Sequence, residues 1–415
     1  MNRDGDPIRL ARWRDEHGTI HLGITDDPTR GWVDLHALHG SSDVPGWLLT
    51  MDLKPSEVLA AARDILRRNH PREPWSASES AGQFVLPLAP DEVWGAGVTY
   101  ERSRDARREE SRAQEAIYAL VYEAVRPELF FKAPAGRTKG PGEPVGLRRD
   151  AVSQVPEPEL TVIVGPDGAP FGYTVGNDMT ARDIEGKNPL YLPQAKIYQG
   201  SSAMGPVLTL QGSLDVSDLH ITCTIRRRSQ VAFHGETTTA RLHRSIDSMI
   251  AYLRAEWPLA PWTALMTGTG IVPPDYFTLE DGDVIAIAIE GIGVLENTVR
   301  RIAPEWAAVP EPEPRLLVIH PTDNVAVALG QLAPGYTGRA GDQDIVVRDP
   351  IPFGHKVAVR PIAPGERVMK YGAPIGVASR AIETGEHVHT HNVESARGRG
   401  DLKRVADDGA RATNR

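Results

Sequence analysis

Cysteine is almost missing from the 415 residues: only Cys223 is present, so no intrachain disulfide and no cysteine-based zinc site can form. Long apolar runs are missing too. No stretch approaches the roughly 20 consecutive apolar residues of a membrane span, so a membrane is not an expected partner. The start, MNRDGDPIRLARWRDEHG, is charged and has no apolar centre, unlike a secretory signal, and a cytoplasmic location is expected. Positive charge is outweighed: 46 Lys and Arg against 55 Asp and Glu leave a net −9, which argues against a general nucleic-acid binder. What remains is ordinary, with 40% hydrophobic and 24% charged residues, values that exclude wholesale disorder. The length predicts two or three domains. Any bound metal has to be held by carboxylates and histidines.

Residues 1–85 alternate short apolar runs with turns and then show a helical stretch, Pro55 to Arg68, where Val58, Leu59, Ala62, Ile65 and Leu66 recur at helical spacing. They read as an N-terminal α/β region, closed by a Pro- and Ser-rich passage from His70 to Ala81. A second region, 86–303, opens with FVLPLAPDEVWGAGVTY and a very polar helix, Arg102 to about Arg126. It continues in short β-rich runs such as LTVIVG, FGYTVGND, GPVLTL and DVIAIAIEGIGVLENTV. The segment 304–315 is Pro- and Glu-rich and reads as a linker. A compact third region, 316–394, again has short strands, and 395–415 has almost no large apolar residues and reads as a disordered tail. The fold class expected is mostly β with some α, an α+β chain with a β core and a small C-terminal β domain.

The chemistry concentrates in VPEPELTVIVGPDGAPFGYTVGNDMTARD. Glu157 and Glu159 lie two apart at the start of a strand, so their side chains leave on one face. Two carboxylates there repel unless a cation lies between them, and hard oxygen ligands suit Mg²⁺, Mn²⁺ or Ca²⁺. Asp178 ends the next strand, and a hairpin would return it beside the pair. The bland alternative is a solvated polar strand end.

The run GYTVGNDMTARD, then Lys196 and GSSAMGPVL, and the later TGTGIVPPDYFTLEDGDVIAIAIEGIGVLENTV resemble the fumarylacetoacetate hydrolase family from about Pro87 to Val299. The resemblance implies that Glu157, Glu159 and Asp178 bind a divalent metal and that Lys196 reaches toward a metal-bound substrate. Carbon–carbon hydrolases of the family carry an early N-Y-x-x-H type motif whose His helps activate water. Here the stretch is VTYERSRDARREES, with Ser103 near that place and no His. With AIYALVYEAVRPELFFKA after it, this is similar to the branch that dehydrates 2-keto-3-deoxy pentonates such as 2-keto-3-deoxyarabinonate, which puts Glu128 in the active site. Without that likeness Glu128 reads as a capping or surface carboxylate. The likeness also implies substrate contacts from Ser103, Lys132 and Thr269, although Lys132 reads equally as a structural cation pairing with the carboxylates.

These residue types suit a dehydration. A 2-keto acid chelates Mg²⁺ through a carboxylate and the keto oxygen, the metal stabilises the enolate formed at C3, and the C4 hydroxyl leaves. Glu128 and Lys196 are the candidate catalytic pair, with base and acid left open between them. The alternatives are a C–C bond hydrolase or a tautomerase of diketo or enol acids.

The third region is similar to the small SAF-type β-clip domain of altronate and galactarate dehydratases and sulfolactate lyases, through His320, Gly354 to Lys356, Lys370 to Gly372 and the final HVHTHN. It implies a further partner, a separate large dehydratase subunit docked by this domain. His387, His389 and His391 are spaced to face one way along a strand and form a second candidate site, for a transition metal or an anionic substrate. The other reading is a water-facing edge strand. The partners expected overall are a small 2-keto acid and a second copy of the chain in a homodimer.

Overall fold

The run LTVIV carries apolar or β-branched residues at every position without alternation, the pattern of a strand covered on both faces. It lies in the strand Pro158–Val164, all of whose residues are buried. The structure, a computed structural model, describes residues 6–69, 84–100, 121–256, 258–274, 277–302, 316–341 and 343–395. It divides into two compact units, Met1–Ala308 and Val309–Arg415.

The first unit is built on a ten-stranded sheet. Across it run Val33–Asp34, Ile20–Thr25, Arg9–Arg14, Ser202–Leu210, Pro170–Asp178, Pro158–Val164, Thr263–Met266, Glu92–Gly97 and Glu128–Pro134, with Phe84–Val85 also on Arg9–Arg14. Neighbours are antiparallel except Thr263–Met266 beside Glu92–Gly97. A second, five-stranded sheet orders Gln230–Thr238, His220–Arg227, Val284–Ile289, Gly293–Arg300 and Val145–Gly146. Alternation in Val284–Ile289 buries Ile285, Ile287 and Ile289 in one core with Val162, Val175 and Leu265 of the large sheet. Cys223 lies in this core, and burial pushes its thiol up to about 12, which makes it a small apolar group.

The expected separate region 1–85 is corrected here. Arg9 and Leu10 pair with Thr209 and Leu208, and Leu10, Leu22 and Ile24 share one core with Leu208 and Met266. Three short strands alone would leave an open edge and half-covered apolar side chains; Ser202–Leu210 covers both. The helix of that region forms as Val58–Arg68, after a single 3₁₀ turn Pro55–Glu57, and buries Val58, Ala62, Ile65 and Leu66. The polar helix expected over 102–126 lies outside the described residues except for its end, where 121–123 are helical. The linker 304–315 also lies outside them, as does the tail 395–415 beyond its first residue.

The second unit has three small sheets: Leu316–Leu317, Val325–Ala328, Lys356–Ala358 and His387–Val388; Thr337–Ala340 with Gln343–Val346; and Arg367–Lys370, Ala373–Ala378 and Val393–Ser395. Two small apolar clusters fill it, one around Leu332, Ile345 and Ile351 and one around Ile362, Val368 and Ile382. Buried amides pin its loops. Asn324 donates to Arg367 O and accepts from Met369 N, and Asn392 donates to His387 O and accepts from His389 N. The second contact bends the chain, so the strand expected through His391 stops at Val388 and 389–392 form a turn.

Candidate active site

Glu157 immediately precedes the strand Pro158–Val164 and Glu159 is its second residue. The hairpin register sets Gly176 opposite Glu159 and Asn177 opposite Pro158, and Asp178 N donates to Glu157 O at 3.0 Å. One oxygen from each of Glu157, Glu159 and Asp178 therefore falls within 4.8 Å of the others, and all three residues are buried. Among the described residues this is the one group of three or more potential metal ligands whose donor atoms already lie this close together.

Two ammonium groups enter the cluster from different elements. Lys196, the last residue of the short helix Leu192–Lys196, donates to Glu157 Oε2 at 2.7 Å, Asp178 Oδ2 at 3.0 Å and Thr180 Oγ1 at 2.7 Å. Lys132, on the strand Glu128–Pro134, meets Asp178 Oδ1 at 2.5 Å and donates to Met179 O at 2.9 Å and Lys196 O at 2.5 Å. An ammonium has three donors, and Lys132 and Lys196 each have three partners on the protein and are both buried. They differ in their partners: two of those of Lys132 are backbone carbonyls, which suits a structural cation bracing Asp178, whereas those of Lys196 are all side chains of the cluster. Burial pulls the pKa of Lys132 below the ordinary lysine value, against the pull of Asp178.

Three carboxylates against two ammonium groups leave one negative charge in excess. Glu159 carries the strain: burial first, then the charges of Asp178 and Glu157, push its carboxyl well above the ordinary value. Gly268 N donates to Glu159 Oε2 at 2.5 Å and orients it. Buried, all-oxygen and short of positive charge, the cluster suits a hard divalent cation.

Glu128 opens its strand opposite Gly97. It shares a face with Phe130, two residues on, whose ring lies 5.4 Å from Lys196 Nζ. The close approach needs glycine at 97, because a Cβ there would lie 2.1 Å from Glu128 Oε2. Thr269 is buried, and its hydroxyl donates to Ile271 O and accepts from Ile271 N, holding its own loop. Ser103 lies outside the described residues.

Several groups around the cluster escape sequence reasoning. Thr180 was visible as the threonine of NDMTARD, in which Arg182 Nη1 donates to Pro273 O and Asp183 accepts from Val152 N and Ser153 N. Thus Asp178 and Thr180 of this motif serve the cluster, and Arg182 and Asp183 brace the loops around it. The Gly268 amide has no side-chain letter to announce it. Tyr100 is buried and Tyr198 half-buried, and their hydroxyl pKa values are raised, first by loss of solvent and then by nearby Glu159 and Asp178 respectively.

Residues 92–300 match the family model for the fumarylacetoacetate (FAA) hydrolase C-terminal region. The chain belongs to the fumarylacetoacetate hydrolase family. Residues 314–396 match the altronate/galactarate dehydratase SAF domain. Within the hydrolase family the chain is 43% identical over 219 residues to a probable 2-keto-3-deoxyxylonate dehydratase of Haloferax volcanii, covering 52% of this chain and 75% of that one. It is 43% identical over 223 residues to 2-dehydro-3-deoxy-D-arabinonate dehydratase of Saccharolobus solfataricus, covering 53% of this chain and 75% of that one. A solved 2-keto-3-deoxy-D-arabinonate dehydratase, complexed with magnesium and 2,5-dioxopentanoate, superposes with a TM-score of 0.58 at 31% identity, over 71% of this chain and 100% of that chain. Among the described residues no helix is long and apolar enough to cross a membrane.

Proposed function

We propose that the chain is a metal-dependent hydro-lyase that removes water from a 2-keto-3-deoxy sugar acid such as 2-keto-3-deoxyarabinonate. The observation that carries this is the buried cluster of Glu157, Glu159 and Asp178, joined by Lys196, in a chain about half of which is 43% identical to a named and a probable sugar-acid dehydratase. The missing His in VTYERSRDARREES supports it against a water-activating hydrolase.

A divalent cation such as Mg²⁺ on the three carboxylates supplies a Lewis acid for the 2-keto group. The protein's own residues do the rest. Lys132 and the Gly268 amide fix Asp178 and Glu159 in their buried positions, so the cluster is organised before substrate arrives. Glu128 and Lys196 divide the two proton transfers, removing the C3 proton and protonating the C4 hydroxyl as it departs. Glu128 is kept against its strand by the space at Gly97. Ser103 and Thr269 are the candidate substrate contacts, and Lys132 acts as a positioning residue.

The finer reading is a homodimer working in the cytoplasm, with the small acid as its substrate; light scattering on the purified chain checks the assembly. The deciding experiment supplies the full chain and Mg²⁺ with 2-keto-3-deoxyarabinonate and traps the semialdehyde product with a coupled dehydrogenase. Dehydration should exceed acylpyruvate cleavage at least about tenfold, roughly 1.4 kcal/mol in the barrier. The reverse preference would replace this reading with the hydrolase.

A further inference from the structure

Four imidazoles gather in the second unit, and no step of the proposed reaction uses them. The strand Lys356–Ala358 pairs with His387–Val388, setting Val357 opposite His387. His355 precedes the first strand and turns its ring onto the second: His355 Nδ1 and His387 Nε2 are 2.9 Å apart. His389 stacks on His355 with ring centroids 4.9 Å apart and planes 6° from parallel. The His391 ring lies 5.4 Å from that of His387. The arrangement is held by backbone contacts, not by a strand through the row. Asp349 Oδ2 accepts from His387 N, and Asn392 clamps His387 O and His389 N.

Four rings this close cannot all carry charge. Burial, then His389 and Lys356, hold His355 below its ordinary pKa. Burial, then His355, His389 and His391, do the same for His387, with Asp349 opposing. Neutral imidazole is the form that offers a lone pair to a metal. Two nitrogens bound at about 2.05 Å to one tetrahedral ion are about 3.3 Å apart, so His355 and His387, whose ring nitrogens now share a hydrogen bond at 2.9 Å, have to part only slightly to take one between them. His389 and His391 are exposed, and to reach a shared ion the His389 ring exchanges its stack on His355 and its bond to Thr390 Oγ1 for the metal. An all-imidazole donor set favours Zn²⁺, Co²⁺, Ni²⁺ or Cu²⁺ over Mg²⁺.

We propose that His355, His387, His389 and His391 gather around a transition metal, with His355 and His387 as its closest pair. It differs in donor chemistry from the carboxylate cluster of the first unit.

The test titrates the full chain with Zn²⁺ by calorimetry, with Mg²⁺ in saturating excess to occupy the carboxylates. One Zn²⁺ per chain should bind, and His355→Ala with His387→Ala should weaken it at least about 100-fold, while Glu159→Gln leaves it unchanged. His389→Ala alone should weaken it by about 10-fold, which covers the case in which the double variant fails to fold by circular dichroism. Equal Zn²⁺ affinity in wild type and His389→Ala overturns the proposal. So does a wild type that ignores Zn²⁺ but binds oxalate in a His387-dependent way, which would mark the cluster as an anion site.

Discussion

The ammonium of Lys132 sits 2.5 Å from Asp178 Oδ1 with neither side chain more than 1% exposed. A charge pair sealed this completely is costly to break from one side, because the survivor keeps its desolvation and loses its partner. Lys132→Met should therefore cost about 3–5 kcal/mol of stability, read from urea unfolding. Lys132→Arg should not rescue it, since a guanidinium has no space at a site with no exposed atom. Loss of activity without loss of stability would contradict the structural role.

Glu159 gives the opposite result. Its carboxyl is buried and repelled by Asp178 and Glu157, so Glu159→Gln removes a charge the metal-free fold tolerates poorly. The metal-free variant should melt at the wild-type temperature or above it. Added Mg²⁺ should raise the wild-type melting temperature by mass action and leave the variant's unmoved. Turnover should fall below detection. A variant that still gains stability from Mg²⁺ would remove Glu159 from the ligand set.

Gly97→Ala tests Glu128 without touching it. The new Cβ would lie 2.1 Å from Glu128 Oε2, so the carboxylate has to move. A displacement of about 1 Å can cost about 100-fold in rate. The expected outcome is that loss in kcat with a urea midpoint within a few tenths of a molar of wild type. An unchanged kcat would place Glu128 outside the chemistry.

How much of this could be read from the sequence follows from what side-chain letters reveal. Glu157, Glu159 and Asp178 were legible because period two and one hairpin suffice to bring them together. Lys196 was legible through its motif. Lys132 was ambiguous, because a lysine that braces a carboxylate and one that meets substrate share a letter, and only their hydrogen-bond partners separate them. The Gly268 amide and the room at Gly97 are backbone features. Region 1–85 looked separate because composition does not tell which edge a strand pairs with; Thr209 and Leu208 decided it. The histidine row was expected to converge by strand alternation. It converges through the turn at Asn392 instead, and His355 joins from 32 residues away.

His21 provides a pH-dependent contribution to the first unit. Its ring bonds Asp34 Oδ2 at 2.8 Å and Asp15 Oδ2 at 3.2 Å and stacks on Trp13. Burial lowers its pKa, but Asp15 and Asp34 outweigh that and raise it. A raised pKa means the charged form stabilises the fold below the unfolded value of about 6.5, and that the benefit fades as pH climbs through the folded value. His21→Gln should cost about 0.2–1 kcal/mol at pH 5.5 and less at pH 9, read by urea unfolding at both. A penalty that grows with pH would reverse the sign.

The last prediction concerns the two units. Glu128, Glu157, Glu159, Asp178 and Lys196 all lie in Met1–Ala308, and the ten-stranded sheet that positions them closes without any strand from beyond residue 302. The second unit carries its own apolar clusters and its own buried amide clamps at Asn324 and Asn392. A chain of about 100 residues is within the size at which domains fold alone. Residues 1–308 expressed alone should therefore unfold in one cooperative transition and keep Mg²⁺-dependent turnover within about threefold of the full chain. Residues 309–415 should give a β-type circular dichroism spectrum and a transition of their own. If 1–308 folds and responds to Mg²⁺ in a melting experiment yet turns nothing over, the second unit supplies part of the active site, and the histidines around His387 become the first residues to test for it.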